Sequence, residues 1–324
     1  MLEAFSQNLL SPSILFFLLG AAAGYLKSDL TVPQSMGKFL STYLMMSIGF
    51  KGGVSASEID SFTHQILLTI FSGVFLSFTI PFLGYTILNL TTKLDKPTSA
   101  ALSSHYGSVS IVTFATAINF LQTNLVNYSG YMPSILALME APAILSGLYL
   151  AHIVAPETNT HKKEQMILAK EIFTNGAVLL ILGSFVVGAI SGKSGLDKVA
   201  PFFVAPFQGI ICMFLLDCGL IVTKNIQNLR AISLPVLMFG IYMPLVCASI
   251  GLFFAYIIDL SQGDALLFII LSASSSYIAV PAAMRLALPE AKSSIYIPIS
   301  LGITFPLNII LGIPLYYSIV KYCL

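Results

Sequence analysis

Tryptophan is absent from the 324-residue chain, and charge is scarce: Asp, Glu, Lys and Arg make up only 9% of it. A soluble domain carries about 25% charged residues, so an ordinary water-soluble fold is excluded. Without tryptophan, anchoring at a lipid–water boundary falls to tyrosines such as Tyr25, Tyr43, Tyr316 and Tyr317. A net charge of +1 and the lack of a long basic cluster argue against a nucleic-acid partner. The four cysteines (Cys212, Cys218, Cys247 and Cys323) show no CxxC spacing. This argues against a disulfide framework or zinc site and leaves them as small packing residues. No basic n-region with a small-residue cleavage site opens the chain, which argues against a removed signal peptide. GxGD, HExxH and GxSxG segments are also missing, so nothing marks an intramembrane enzyme.

What is present is apolar: 56% of the chain is hydrophobic, and the mean hydropathy is +0.90. A helical span needs about 20 apolar residues. On that rule ten spans are predicted, at 12–27, 33–53, 65–91, 98–121, 131–155, 172–191, 201–223, 232–260, 263–287 and 294–320. The expected fold is therefore an all-α integral membrane protein, with the lipid bilayer as its first partner.

The longest polar stretch, "PETNTHKKEQMILAKE", divides the chain near its middle. The expected domains are a first repeat over 1–155, a cytoplasmic linker over 156–171 and a second repeat over 172–324. Five spans on each side would insert in opposite senses, a 5+5 inverted repeat of the kind common in secondary transporters. Internal similarity points the same way. "LMMSIGFKGG" aligns with "FLLDCGLIVT", setting Gly49 against Gly219 at an offset of 170, and the same offset sets Ser104 against Ser274. Further on, an offset of 164 sets Pro142 against Pro306. Ten basic residues lie on the linker side against four on the other. By the positive-inside rule this puts the linker in the cytoplasm and both termini outside.

Two stretches do not suit lipid: "SSHYGSVSIVTFATA" and "SASSSYIAVPAAMRL". Irregular backbone at membrane depth occurs only where protein or water covers it. Pro281 lacks an N–H and crowds the carbonyl of Tyr277, which predicts a helix that breaks or kinks near Tyr277 and restarts near Pro281, and a corresponding break at Gly107. Two broken crossing helices meeting at the midplane would offer amides to an anion, and carbonyls and hydroxyls to Na+. The plainer alternative is that these serines bond their own helices and that Gly and Pro only permit kinks.

Glu140 and Asp217 are the two acids placed within membrane depth, and such acids are functional candidates. Glu140 reads as a cation ligand if ionised, or as a donor to a broken-helix carbonyl if protonated. Asp217 reads as a residue that hydrogen-bonds to a neighbouring helix, within the chain or across a contact between copies. His105 reads as a packing residue and Lys51 as a snorkelling one. Asn308 is left open.

The ordered set "SPSILFFLLGAAAGYLKSDLTVPQSM", "IGFKGG", "GSVSIVTFATA", "LMEAPAIL", "ASSSYIAVPAAMRLALPEA" and "ITFPLNIILGIP" resembles the sodium-dependent bicarbonate transporter family of cyanobacteria and its wider bacterial relatives. The resemblance runs nearly end to end. It implies a core domain from spans 3–5 and 8–10, a gate domain from spans 1, 2, 6 and 7, and a homotrimer in the inner (plasma) membrane. It implies uptake of a small anion, bicarbonate, coupled to Na+ by an elevator-like movement, with no other cofactor. Carried over by position, the substrate and ion site would comprise Gly107, Ser108, Ser110, Thr113, Glu140, Ser274, Ser275, Ser276 and Tyr277. Na+ ligands would come from among Ser110, Thr113, Glu140 and Ser276. A PII-like regulatory protein docks on the cytoplasmic side in the family, but the short linker here argues against that partner.

The chain departs from the family pattern at several places. Tyr277 stands where the family has Asp, Ala279 and Val280 replace a Ser-Gly pair, and Ile111 and Val112 replace a Gly-Ser pair. These changes leave open a different carboxylate-like solute, coupling to H+ through Glu140, or an ion channel.

Overall fold

The computed structural model describes residues 6, 8–58, 63–154, 176–229, 231–277, 280–281, 284 and 287–324. The linker predicted over 156–171 lies outside them. Every element among the described residues is helical. In chain order these are α1 (Pro12–Tyr25), α2 (Gln34–Ser57), α3 (His64–Thr91), α4 (Lys96–Gly107), α5 (Ile111–Thr123) and α6 (Met132–Val154). They continue as α7 (Gly176–Phe203), α8 (Phe207–Leu229), α9 (Leu234–Ile258), α10 (Gln262–Ala273) and α11 (Ser293–Cys323). Five helices among the described residues have the length and apolarity to cross a membrane, among them α3, α6, α9 and α11; the fifth is Leu179–Phe203 of α7. The fourth predicted span is two helices, α4 and α5, and the ninth is α10 followed by a second helical piece at Val280 and Pro281.

The outer surface is apolar and the interior carries the small polar residues. On α3, Leu67, Phe71, Phe75 and Phe78 are exposed along one face. The other face buries Thr69, Ser72, Gly73, Ser77 and Pro81. Lipid gives no hydrophobic drive between helices, so small residues that allow close approach hold such interfaces together.

Two helix pairs pack along their lengths, α2 on α7 and α1 on α8, and α8 also touches α2. A Cβ on Gly49 would stand 2.6 Å from the Ile181 carbonyl oxygen of α7, and one on Gly219 would stand 2.6 Å from the Ala21 nitrogen of α1. The glycines aligned at an offset of 170 thus occupy equivalent backbone contacts in the two pairs. The remaining helices form a second group, in which α3 packs on α4 and α6, and α9 on α10.

Several expectations are corrected. The sixth predicted span ends at 191, and α7 does leave helical geometry there, at Gly192 (φ 58°, ψ −162°), before a second helical piece runs on to Phe203. Tyr43 and Tyr316 are each only 3% exposed and are not interface anchors. The Tyr43 hydroxyl donates to the Phe202 carbonyl, and that of Tyr316 to Asn308 Oδ1 at 3.1 Å. Tyr25, at 77% exposure, keeps the anchoring position. Lys51 does not snorkel freely: its ammonium lies over the Phe207 ring, 4.0 Å from the centroid.

Candidate functional site

α4 and α10 are both 12 residues long, and each starts with a side-chain cap. Asp95 accepts from the Thr98 amide, and Ser261 accepts from the Asp264 amide. Their ends correspond at an offset of 166, which pairs Ser108 with Ser274. The 170 alignment of these segments is therefore one helical turn out, although it holds for the α2 and α8 glycines. One apolar turn looks much like the next, and capping geometry fixes the register that similarity leaves ambiguous.

Both helices end in extended backbone at the same buried level. After Gly107 the chain is extended at Ser108 (φ −91°, ψ 157°) and Ser110 (φ −104°, ψ 108°) before α5 begins. After Ala273 it is extended at Ser274 (φ −78°, ψ 166°). The second break opens before Tyr277, earlier than predicted. Helical backbone is present again at Val280 and Pro281, where the restart was expected.

Buried backbone groups must find partners, and here the two breaks supply each other. The Ser276 amide donates to the His105 carbonyl at 2.8 Å, and the Ser110 amide donates to Ser274 Oγ at 3.0 Å. Ser110 caps α5, accepting from the Thr113 amide at 3.2 Å and the Thr113 hydroxyl at 2.8 Å. Ser276 accepts from the Val280 amide at 3.4 Å. Asn308 of α11 donates to the Ala273 carbonyl at 2.8 Å, satisfying the end of α10. Asn308, left open by its residue type, is thus part of the crossing. In α11, two π-helical turns, Ser300–Thr304 and Asn308–Gly312, bracket this region.

Glu140 is 4% exposed, and its Oε2 accepts from the Ser108 hydroxyl at 2.9 Å. This bond ties α6 to the first break. Among the described residues no Lys or Arg nitrogen lies within 4.0 Å of Glu140. Conformational freedom is not what calls for glycine at 107: a Cβ there would come 2.5 Å from the Ser77 carbonyl oxygen and 2.6 Å from Pro81 Cδ. It is a close-approach glycine against α3. His105 packs as expected, with Nδ1 2.6 Å from the Ala101 carbonyl and its ring 4.9 Å from that of Tyr296.

Tyr277 turns toward the other helix group. Its ring meets Phe305 edge-on at 5.3 Å, and Phe305 meets Phe17 of α1 at 5.9 Å. Its hydroxyl is buried without a hydrogen-bond partner of good geometry, as is that of Ser275. Ser110, Cys218 and Asp217 are the polar side chains within interaction range of the phenol.

A model of the Na+-dependent bicarbonate transporter superfamily matches residues 12–321. The chain belongs to that superfamily. A Na+-dependent bicarbonate transporter superfamily member is a multi-pass membrane transporter and not an enzyme. Comparison with curated proteins finds no match. In this superfamily member Ser110 is bonded to Thr113 and Ser274, and Ser108 to Glu140, while Gly107 serves the α3 contact. One buried acid, Asp264, was not foreseen; with Glu140 it is one of two buried acids among the described residues. It accepts from the Ser129 amide at 2.6 Å and from the Ser129 and Ser261 hydroxyls at 2.7 and 2.9 Å. The cap pattern S-x-x-D at Ser261 was the available signal, and the role is structural. An apolar groove of about 850 Å³ between α2 and α7, lined by Met46, Phe50, Leu180 and Phe203, shares no residue with the crossing.

Proposed function

We propose that the protein takes up bicarbonate together with Na+, with both held where the two broken segments cross. The observation that carries this reading is the pair of facing extended tips, whose hydroxyls and amides converge around Ser110 and Ser274–Ser276. The start of α5 presents amide hydrogens and the positive end of its dipole to an anion. The hydroxyls of Ser108, Ser110, Thr113, Ser274, Ser275, Ser276 and Tyr277, with the Glu140 carboxylate, are oxygen donors suited to Na+.

In this reading the fold is ten spans in a 5+5 inverted repeat, over 1–155 and 172–324. The corresponding α4 and α10, and the equivalent Gly49 and Gly219 contacts, support it. The group of α1, α2, α7 and α8 is the gate, the other group is the core, and the core slides past the gate with its cargo. The exposed apolar flank of α7 is available to sister subunits of a homotrimer. The linker faces the cytoplasm and both termini lie outside the inner membrane.

Counterflow of labelled bicarbonate into proteoliposomes, with and without Na+, tests the reading. A rate that is the same without Na+ overturns the coupling, and no counterflow overturns the substrate. A second reading, a different small carboxylate-like solute, is favoured by the bulk of Tyr277, Ile111 and Val112 at the tips. Competition of the counterflow by small carboxylates separates the two.

A further inference from the structure

Past Gly192 the chain turns back on itself. Gly49 of α2 lies against Ile181 and Gly53 against Phe185, so α2 and the first piece of α7 run in the same direction. At Gly192 the chain has reached the Ser57 end of α2, whose hydroxyl would be 3.9 Å from a Cβ there. The second piece then returns: Tyr43 meets Phe202 edge-on at 5.2 Å, and Phe50 stacks on Phe203 at 5.5 Å. Between the two pieces and α2 lies the groove of about 850 Å³. Pockets that take small molecules measure about 300–1,000 Å³ and are mostly apolar, with a few polar groups that fix orientation. This groove is graded in that way. Its turn end carries Ser191 and Ser194, with Lys198 one helical turn further on, and its other end carries Met46, Leu180 and Phe203.

Three features bear on what fills it. Leu179 and Val187 of its wall are 63% and 54% exposed on the apolar outer surface, so an occupant enters from the lipid side. Lys198 has no counter-charge: no carboxylate oxygen among the described residues lies within 4.0 Å of its ammonium. Asp197, next to it in the chain, is not part of the wall. Finally, a Cβ on Gly183 would meet nothing within 4 Å outside its own helix, so this glycine serves no close helix contact and opens onto empty space. We propose that the groove holds one acyl chain of an anionic phospholipid, with the phosphate at Lys198, Ser191 and Ser194 and the tail along Met46, Leu180 and Phe203. Basic pockets between membrane helices suit such headgroups. A neighbouring copy of the chain seated there would instead bury the ammonium against apolar side chains, which is costly without a paired acid. The other flank of α7, with Val186 and Ile190 exposed, stays available to such copies. Bound in the groove, the lipid packs the returning piece of α7 against α2 and so stabilises the fold.

The groove shares no residue with the crossing, so its occupant stands or falls apart from the transported solute. Purified full-length protein in detergent is stripped of lipid and titrated with dioleoyl phosphatidylglycerol, with dioleoyl phosphatidylcholine as the zwitterionic control of equal chain length. Thermal unfolding is followed, since a ligand selective for the native state raises apparent stability, and native mass spectrometry counts the bound lipid. Wild type is expected to be stabilised by phosphatidylglycerol at lower concentration than by phosphatidylcholine. Lys198→Gln should raise the half-saturating phosphatidylglycerol about fivefold, the factor that one lysine beside an anionic headgroup is worth, and leave phosphatidylcholine unchanged. Gly183→Leu fills the groove and should abolish saturable stabilisation by both lipids. Its lipid-free midpoint should not fall, because no neighbour has to move and leucine favours a helix over glycine.

A wild type that phosphatidylglycerol stabilises no better than phosphatidylcholine overturns the proposal, as does an unchanged half-saturating phosphatidylglycerol in Lys198→Gln. Wild-type lipid binding in Gly183→Leu overturns it as well. If that variant also loses self-association while lipid binding persists, the groove is a contact between copies and not a lipid site. If Gly183→Leu does not give a folded protein, Lys198→Gln decides the matter.

Discussion

Ser276 and His105 join the two halves of the chain directly: the Ser276 amide donates to the His105 carbonyl at 2.8 Å. Neither helix end could stay buried alone, because each would leave polar backbone without a partner. Together with the bond from the Ser110 amide to Ser274, this makes each broken segment the cap of the other. Damage to either tip should therefore disturb both.

Ser274→Ala removes the acceptor of the Ser110 amide at 3.0 Å. A buried donor left without a partner costs about 1–3 kcal/mol. A lower thermal-unfolding midpoint is expected, together with weaker ligand-induced stabilisation. A midpoint equal to wild type would show that the bond contributes nothing.

Glu140→Gln keeps an acceptor for the Ser108 hydroxyl but removes the charge. The variant should insert and purify like wild type and yet lose Na+-driven uptake in proteoliposomes. Uptake at the wild-type rate would remove Glu140 from the coupling machinery.

Gly107→Ala puts a methyl group against the Ser77 carbonyl oxygen and the Pro81 ring, at 2.5 and 2.6 Å. Overpacking of this kind costs about 1–3 kcal/mol or more. The neighbour that must move carries the Ser77 hydroxyl bonded to the Met139 carbonyl of α6, so yield and thermal stability should both fall. Ser103→Ala, which loses only a bond to the Ala100 carbonyl of its own helix, should change neither appreciably.

Asp95 and Lys292 pair at 3.0 Å where α4 and α11 begin. Partial burial pushes the Asp95 carboxyl upward, but hydrogen bonds from Thr98 and the charge of Lys292 outweigh it and hold the group below its ordinary 3.8. A depressed carboxyl stabilises the fold above its unfolded value and loses that contribution as pH falls through the lower folded value. Asp95→Asn should therefore be less stable than wild type at neutral pH, by under about 1 kcal/mol for so exposed a pair. The gap should close in strong acid, as followed by thermal unfolding from pH 7 to 3. A gap that persists there would show that it does not come from the Asp95 charge.

The serine-rich tips were legible because four serines and a tyrosine in an apolar run have no use against lipid. Glu140 was legible for the same reason. What was not legible was where the second break opens, since nothing in "SASSSY" tells whether the helix ends at Ala273 or runs on to Tyr277. Asp264 passed unnoticed because a capping acid looks the same in sequence whether solvent or Ser129 faces it.

The sequence by itself determined that this is a helical membrane protein with two polar interruptions at related positions, because hydropathy and helix-breaking chemistry are local properties. Only the tertiary structure decided that the interruptions cap each other and that the register between α4 and α10 differs by a turn from the best alignment. Those facts depend on which backbone groups lie beside one another in space, and residues 164 to 171 positions apart are brought together by packing that no local pattern encodes.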